Sequence, residues 1–513
     1  MGALSVFALS RSRRSLSLVS LALCILATLV LLQHDEEGSF LRPARWDLHD
    51  ILRPQPESKT QSFDAKKPTP PDAQREPVPE PPIQPQIMDL THLAKYELTP
   101  SFTYSRRTII PKASNGKRET LTKMEGEYLF NTPQILDEEA VWNRSTSIDS
   151  FPPLTLHVPS SPEVDTSIIS FGIATSASRL PEAFPNLEHW LSNTSSSIHV
   201  AVSDAQENEL AELQSQLEHL NIKATLANSS LFFSNAYFSL VKELYDARTE
   251  KTEWLVLIDD DTFIPSLPTL LTHLNNAYDS SQELIISAAS DNMDQIRIFG
   301  IQPYGGGGIF ISVPLARILT QPEVWDSCMS SESEQGDQIF NECLDAHSPV
   351  RPTFDLGLNQ MDIHGGFAEP AGYFENGRQM LTIHHWRSWF HIDMPAVATV
   401  SKACGDEGIL MRWLFEGDVV LSNGYSIAEY PRGISETDLQ GVELTWSDDV
   451  WKFMHHIGPL REKMGRDQKR SFGMAETVVL EEGVRQTYLE KAEEIGMKKV
   501  GMDRVVELLW LFD

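Results

Sequence analysis

Residues 253–267 read EWLVLIDDDTFIPSL. Five apolar residues, Trp254 to Ile258, run straight into three carboxylates, Asp259, Asp260 and Asp261. A short unbroken apolar run predicts a strand covered on both faces, as in a parallel sheet. Sheets of that kind bind ligands outside the carboxyl ends of their strands, where the three carboxylates fall. Side chains of an extended segment alternate, so Asp259 and Asp261 share one direction and Asp260 takes the other. Two convergent carboxylates suit a hard divalent cation that also takes phosphate oxygens. A bare acidic triplet could equally be a solvated turn or a helix cap, because Pro265 and the apolar residues after it open a helix. Its position behind a buried strand favours the cation.

Working outward, SIISFGIATS (167–176) reads as a second buried strand, followed by a helical stretch through Leu187–Leu191. SIHVAVS (197–203) is a third strand, and residues 205–220 form a helix with Leu210, Leu213, Leu217 and Leu220 on its apolar face. Helices over 234–248 and 267–277 and a strand over 283–289 complete the pattern. Strands alternating with helices predict an α/β fold with a doubly wound, mostly parallel, Rossmann-like sheet over residues 161–400. No internal repeat is visible. Residues 401–513 mix strand and helix character without an interpretable motif and are expected to pack on that domain as a C-terminal extension.

The N-terminus sets the expected location. Arg11, Arg13 and Arg14 precede an apolar stretch, residues 15–33, which Asp35, Glu36 and Glu37 follow. Nineteen residues at about 1.5 Å each just span a hydrocarbon core of about 30 Å. The basic flank predicts a cytosolic tail over 1–14, a signal anchor over 15–33 and a luminal remainder, that is, a single-pass type II protein. A cleaved signal peptide is the competing reading, but the stretch is long and no small-x-small cleavage site follows it. Residues 34–160 are expected to be a stem, Pro-rich at 54–85, where proline density favours a semi-rigid extended spacer. An SH3 or WW ligand is the alternative there. Residues 88–160 are intermediate in composition and could pack on the following domain. Asn143, Asn193 and Asn228 begin glycosylation sequons, weak support for a luminal setting.

A formal net charge of −30 excludes an electrostatic nucleic-acid binder. Of four cysteines, Cys24 lies in the apolar N-terminal run, leaving Cys328, Cys343 and Cys404 for one disulfide and one free thiol. No Cys-x-x-Cys pair points to zinc.

Five motifs, in order, carry a family resemblance. They are IATSASRL (173–180), Ser203-Asp204, DDDTFIP (259–265), YGGGGIFIS (304–312) and the segment from CMSSESEQGDQIFNECL (328–344) to LTIHHW (381–386). Together they resemble the Fringe-like glycosyltransferases of family 31, and most of all the Fringe-like branch of fungi and plants, over about residues 165–400. The resemblance implies a GT-A-like domain in which Thr175 and Arg179 meet the nucleotide and Asp204 contacts its uridine end. Asp260, beside the metal-binding Asp259 and Asp261, falls in the same donor site. The glycine run, with Gly306 and Gly307, would border donor sugar and acceptor. Glycine there lets backbone approach a ligand closely, though a tight bend would also use it. No Gly-Lys-Ser/Thr follows, so the run is not a phosphate loop.

By the same resemblance Asp337 is the catalytic base, and an Asp-capped helix start is the structural alternative. Some relatives carry an acidic pair where this chain has Gly336-Asp337. An oxidising lumen would allow a Cys328–Cys343 cystine around it. The family's strand ending in a metal-binding His matches at His384. If the segment is extended, only one of His384 and His385 faces the site. A neutral imidazole beside carboxylates suits Mn²⁺ better than Ca²⁺. Gln360, Asp362 and Gly365 match residues typical of the branch, without an assigned role.

The expected activity is therefore inverting transfer from a UDP-sugar, with Mn²⁺ or another divalent cation. The acceptor would be a glycan, glycoprotein or glycolipid, the linkage β1,3 and the location the Golgi membrane. A non-catalytic sugar-binding or scaffold protein is the alternative of another class. A metal-dependent phosphoesterase is a third reading, but the chain shows no second group of His and Asp ligands for a two-metal site.

Overall fold

The computed structural model describes residues 82–142, 144–363, 370, 372–445, 459–495 and 498–512. The expected tail, the anchor over 15–33, most of the Pro-rich segment, Asn143 and Gly365 lie outside the described residues. Among the described residues no helix is long and apolar enough to cross a membrane.

The strands that position the site are β1 (Ile169–Ser176), β2 (Ser197–Ser203), β3 (Lys223–Ser229), β4 (Trp254–Ile258), β5 (Ile285–Ala288), β6 (Tyr304–Ser312) and β7 (Thr353–Phe354). They form one seven-stranded sheet in the order β7-β5-β6-β4-β1-β2-β3. Strands β4, β1, β2 and β3 run parallel, and β6 runs antiparallel to both of its neighbours, β4 and β5. The sheet is thus mixed and mostly parallel. Helices α1 (Leu180–Leu191), α2 (Glu207–His219), α3 (Phe233–Ala247), α4 (Leu267–Ala277), α5 (Met293–Phe299), α6 (Val313–Leu319), α7 (Pro322–Met329) and α8 (Gly336–His347) connect and cover it.

The period of two explains the layers. Trp254, Val256 and Ile258 point from β4 into a core with Leu187, Leu213 and Leu270 of α1, α2 and α4. Leu255 and Leu257 point the other way, to Leu240 and Leu244 of α3 and to Ile339 and Phe340 of α8. Local signals start the helices: a Gln206–Glu209 capping box for α2, and the Ser266 hydroxyl capping α4, whose first turn also holds a proline.

Two expectations need correction. Strand β3, KATLANS, is absent from the sequence reading. It sits at the sheet edge with no buried residue, so it carries no apolar run to reveal it. The stem expected over 34–160 is also cut short, because among the described residues strands begin at Gln84. Ser101–Ser114 pairs with Arg504–Leu511 on one side, and with Gln134–Asp137 and Leu154–Pro159 on the other. These strands complete a ten-stranded sheet with Thr122–Lys123, Arg412–Phe415, Val419–Ser422, Ser426–Glu429, Arg470–Val479 and Gly483–Glu490. Its core holds Ile109, Leu156, Trp413, Tyr488 and Trp510. Buried Tyr104 donates to Glu507 Oε2 at 2.6 Å, tying two ends of the sequence together. The second sheet meets the first through a shared cluster that includes Phe263, Phe374, Trp386, Met394 and Tyr425.

Candidate active site

Strand β4 ends at Ile258, and the backbone turns at once: Thr262 N–H donates to the Asp259 carbonyl at 3.1 Å, and Asp259 N–H to Thr262 Oγ1 at 3.0 Å. This turn divides the aspartates. The Asp260 carboxylate accepts from Thr175 Oγ1 and from the Arg179 guanidinium, each at 2.5 Å, back toward the end of β1. Asp259 and Asp261 face elsewhere, onto His384. Its Nε2 lies 3.0 Å from Asp261 Oδ1 and 3.3 Å from Asp259 Oδ2.

His384 arrives from a stretch far along the chain. The short strands β8 (Leu358–Asn359) and β9 (Thr382–Ile383) pair in parallel, and Ile383 bridges Phe263 through two backbone hydrogen bonds of 2.8 Å. That bridge brings the histidines against the aspartate turn. Strand alternation allows only one of them to face the site. The structure departs from it, because His385 takes a left-handed φ of 50° and ends the extended segment. Both rings therefore lie together, centroids 3.8 Å apart. His385 Nε2 is 3.2 Å from Asp362 Oδ1, and its ring stacks on Trp389. Ligand atoms of Asp261, His384 and His385 all lie within 4.8 Å of one another.

The charges of this cluster act strongly on one another. Burial alone would depress the His384 imidazole, yet Asp261 and Asp259 outweigh it and hold its pKa well above the ordinary value. Burial likewise opposes charge on Asp261, but His384 prevails and lowers its pKa to about 2. Asp260 goes the other way, raised by burial despite Thr175 and Arg179. A protonated imidazole thus stands between two carboxylates. This mixed nitrogen and oxygen donor set fits a divalent cation, which would displace that proton.

Asp337 lies in the first turn of α8. Its carboxylate accepts from Gln338 N–H at 2.9 Å and from the Gly305 backbone. Burial, then the charge of Asp259, raises its pKa to about 7. The Cys328–Cys343 disulfide joins α7 to α8 behind it. Cys404 is free.

Between Asp337 and His384 lies the glycine run. Ser287 pairs with Ile309 while the next residue, Ala288, pairs with Tyr304, so Gly305–Gly308 bulge out of β6 without partners in β5. A Cβ on Gly306 would stand 2.1 Å from two atoms of the His384 ring, and one on Gly307 would stand 2.4 Å from Ala288 Cβ. Gly307 N–H donates to Gln360 Oε1 at 2.7 Å, which links Gln360 to the site. Asp204 is exposed at the end of β2 with a φ of 60°, beside the end of β1.

The structure therefore gathers Asp259, Asp261, His384, Gly306, Gly307 and Asp337 around one place. Thr175 and Arg179 join it through Asp260. The sequence reading missed His385 as a member, although the histidine doublet was its signal.

Residues 182–345 match the family described as Fringe-like. The chain carries a Fringe-like domain, and the matched span holds the aspartate triplet, the glycine run and Asp337. Among solved structures, it is similar to apo GlyE, a glycosyltransferase of Streptococcus pneumoniae TIGR4, at 14% identity over 37% of this chain and 46% of that one, TM-score 0.25. It is similar to the galactosyltransferase LgtC at 12% identity over 37% and 74% of the two chains, TM-score 0.27. Mouse xyloside xylosyltransferase 1 follows at 12% identity over 38% and 87%, TM-score 0.26. The match thus spans less than half of the GlyE chain. No curated protein matches.

Proposed function

We propose that this chain is an inverting, metal-dependent glycosyltransferase that moves a sugar from a UDP-sugar to a hydroxyl of a glycan, glycoprotein or glycolipid. The observation that carries the reading is the meeting of His384 with Asp259 and Asp261, from two distant stretches of sequence, beside the raised Asp337 carboxyl. Asp259, Asp261 and His384 would hold Mn²⁺ or another divalent cation, with His385 adjacent. When bound, the cation neutralises the negative charge that builds on the departing diphosphate.

The chain's own residues do the rest. Asp337 accepts the proton of the acceptor hydroxyl as that oxygen attacks the anomeric carbon. The bond from that carbon to the phosphate oxygen breaks on the opposite face, and its electron pair leaves with UDP. An α-linked donor then yields a β-linked product, and the Fringe-like resemblance points to a β1,3 linkage. A carboxyl with a pKa near 7 is well matched to a base working near neutrality. Arg179, more than half exposed, and Thr175 hold Asp260 at the end of β1, and Asp204 stands at the end of β2 nearby, on the side where the uridine would lie. The N-terminal stretch 15–33 would anchor the enzyme in the Golgi membrane as a single-pass type II protein with this domain in the lumen.

UDP release from a panel of UDP-sugars, with and without Mn²⁺, tests the reading. Asp261→Ala should abolish metal-dependent UDP binding, whereas Asp337→Ala should keep binding and lose turnover. A fully active Asp337→Ala variant removes the base assignment. Release of phosphate from simple esters would instead support a hydrolase.

A further inference from the structure

Two side chains that the proposed reaction leaves without a role, Gln360 and Asp362, stand directly against the histidines. Both are buried, at 6% and 4% exposure. Gln360 Oε1 accepts from Gly307 N–H at 2.7 Å, and its Nε2 donates to Asp362 Oδ1 at 3.2 Å. A backbone N–H only donates and a carboxylate only accepts, so the amide has a single orientation here. The gap takes a side chain that accepts at one end and donates at the other, which neither glutamate nor methionine can do.

The Asp362 carboxylate gathers two further groups. It accepts from the Ser290 hydroxyl, and His385 Nε2 lies 3.2 Å from its Oδ1. Asp291, buried as well, accepts from Met361 N–H at 2.7 Å and pins the backbone between Gln360 and Asp362. The Gln360 carbonyl is thereby held 3.2 Å from His384 Nδ1. A carbonyl only accepts, so Nδ1 carries a hydrogen. Nε2, which faces Asp259 and Asp261, is then the nitrogen left for a cation. His385 Nε2 is committed to Asp362, and its ring braces that of His384. The site opens through its carboxylates, since the Asp259 and Asp261 side chains are 36% and 18% exposed. An ion entering there meets an imidazole whose direction is fixed from behind.

We propose that Gln360 and Asp362 are positioning residues that fix which nitrogen His384 offers the cation, and so give the site its preference for Mn²⁺ over Mg²⁺. The assignment rests on the metal-dependent glycosyltransferase reading and deepens it. With the imidazole in place the donor set mixes nitrogen with oxygen. With the ring turned aside only carboxylate oxygens remain, and those suit Mg²⁺ as well.

The full chain carrying Gln360→Met or Asp362→Asn is compared with wild type in affinity for Mn²⁺, read from the paramagnetic resonance of the free ion, and for Mg²⁺, read by competition. Tm is recorded for each, and the affinities are taken well below it. His384→Ala gives the Mn²⁺-to-Mg²⁺ ratio of a site without the ring. Gln360→Met changes no charge, so Mn²⁺ affinity should fall about tenfold or more while Mg²⁺ affinity changes by less than about threefold. Asp362→Asn removes a charge and should weaken both ions, Mn²⁺ the more. In both variants the ratio should move toward that of His384→Ala. A lowered Tm with an unchanged ratio overturns the proposal, because the residues would then serve only the fold. If Gln360→Met does not fold, Gln360→Glu replaces it, keeping the bond to Gly307 and losing the one to Asp362, with the same contraction expected. An unchanged ratio in a wild-type background that binds Mn²⁺ and releases UDP from a donor overturns this inference alone. A wild-type chain that binds no Mn²⁺ defeats both it and the reading beneath it.

Discussion

Replacing Gly306 by alanine would disturb the site through one methyl group. A Cβ at this position stands 2.1 Å from both Cε1 and Nδ1 of His384 and 2.5 Å from its Cγ. Carbon atoms make ordinary contacts at about 3.5–4.0 Å, so the ring would have to retreat by more than about 1 Å. Its surroundings leave little room. Nε2 is held by Asp259 and Asp261, Nδ1 lies 3.2 Å from the Gln360 carbonyl, and His385 lies against the ring. The glycine backbone is fixed as well, since the Gly306 carbonyl accepts from Thr262 Oγ1 at 2.7 Å and Gly307 N–H donates to Gln360. Overpacking of this kind costs about 1–3 kcal/mol. Displacing a ligating ring by about 1 Å costs roughly a hundredfold in rate. Gly306→Ala should therefore weaken Mn²⁺ binding, lower metal-dependent UDP release about a hundredfold and reduce Tm. The added variant His384→Ala removes the ring that the methyl strikes, so in a double-mutant cycle it should restore part of the lost Tm without restoring activity. Additive losses in Tm, or a Gly306→Ala enzyme with Mn²⁺ affinity and turnover within twofold of wild type, would refute the reasoning.

The Asp337 carboxyl, raised to about 7 by burial and by Asp259, must be ionised to act as a base. Transfer should therefore rise with pH through about 7 and level off above it, and Asp337→Asn should be inactive across the range. Because a cation on Asp259 would cancel one cause of the shift, higher Mn²⁺ should move the acid limb to lower pH, and a limb indifferent to Mn²⁺ would contradict this. The Cys328–Cys343 disulfide, with a sequence separation of 15, should contribute about 3 kcal/mol by restricting the unfolded chain. The double Cys→Ser variant should unfold at lower urea and lose turnover through the loosened start of α8, and an unchanged midpoint would show that the bond adds nothing.

What the sequence disclosed and what it withheld divide along physical lines. Strand β4 and helix α4 could be read to the residue, because an unbroken apolar run and a Ser-capped, proline-started helix are local signals. The split of Asp260 from Asp259 and Asp261 came out as alternation predicts, although a turn and not an extended strand produces it. The second sheet was not. Ser101–Ser114 finds its partner in Arg504–Leu511, and neither segment contains a sign of the other. Edge strand β3 hides for the opposite reason, having too little burial to leave a pattern.

The site shows the same division. The bulge that carries Gly305–Gly308 was visible as a glycine run, but its purpose lies in what approaches it: His384 at Gly306 and Tyr237 at Gly305. A missing side chain in sequence marks only that something must come close. Which group comes close is decided by the crossing of Ile383 over Phe263 and by the packing of α3 against α8, both products of the fold. The two histidines make the point most sharply. Strand alternation would separate their rings, and a single left-handed residue, His385, brings them together beside Asp261. A β-branched residue at 385 would resist that backbone conformation. His385→Val should therefore disturb His384 and cation binding as well as removing one imidazole, whereas His385→Asn, tolerant of the left-handed region, should spare His384. Equal loss of Mn²⁺ affinity in the two variants would mean that the imidazole matters and the backbone does not.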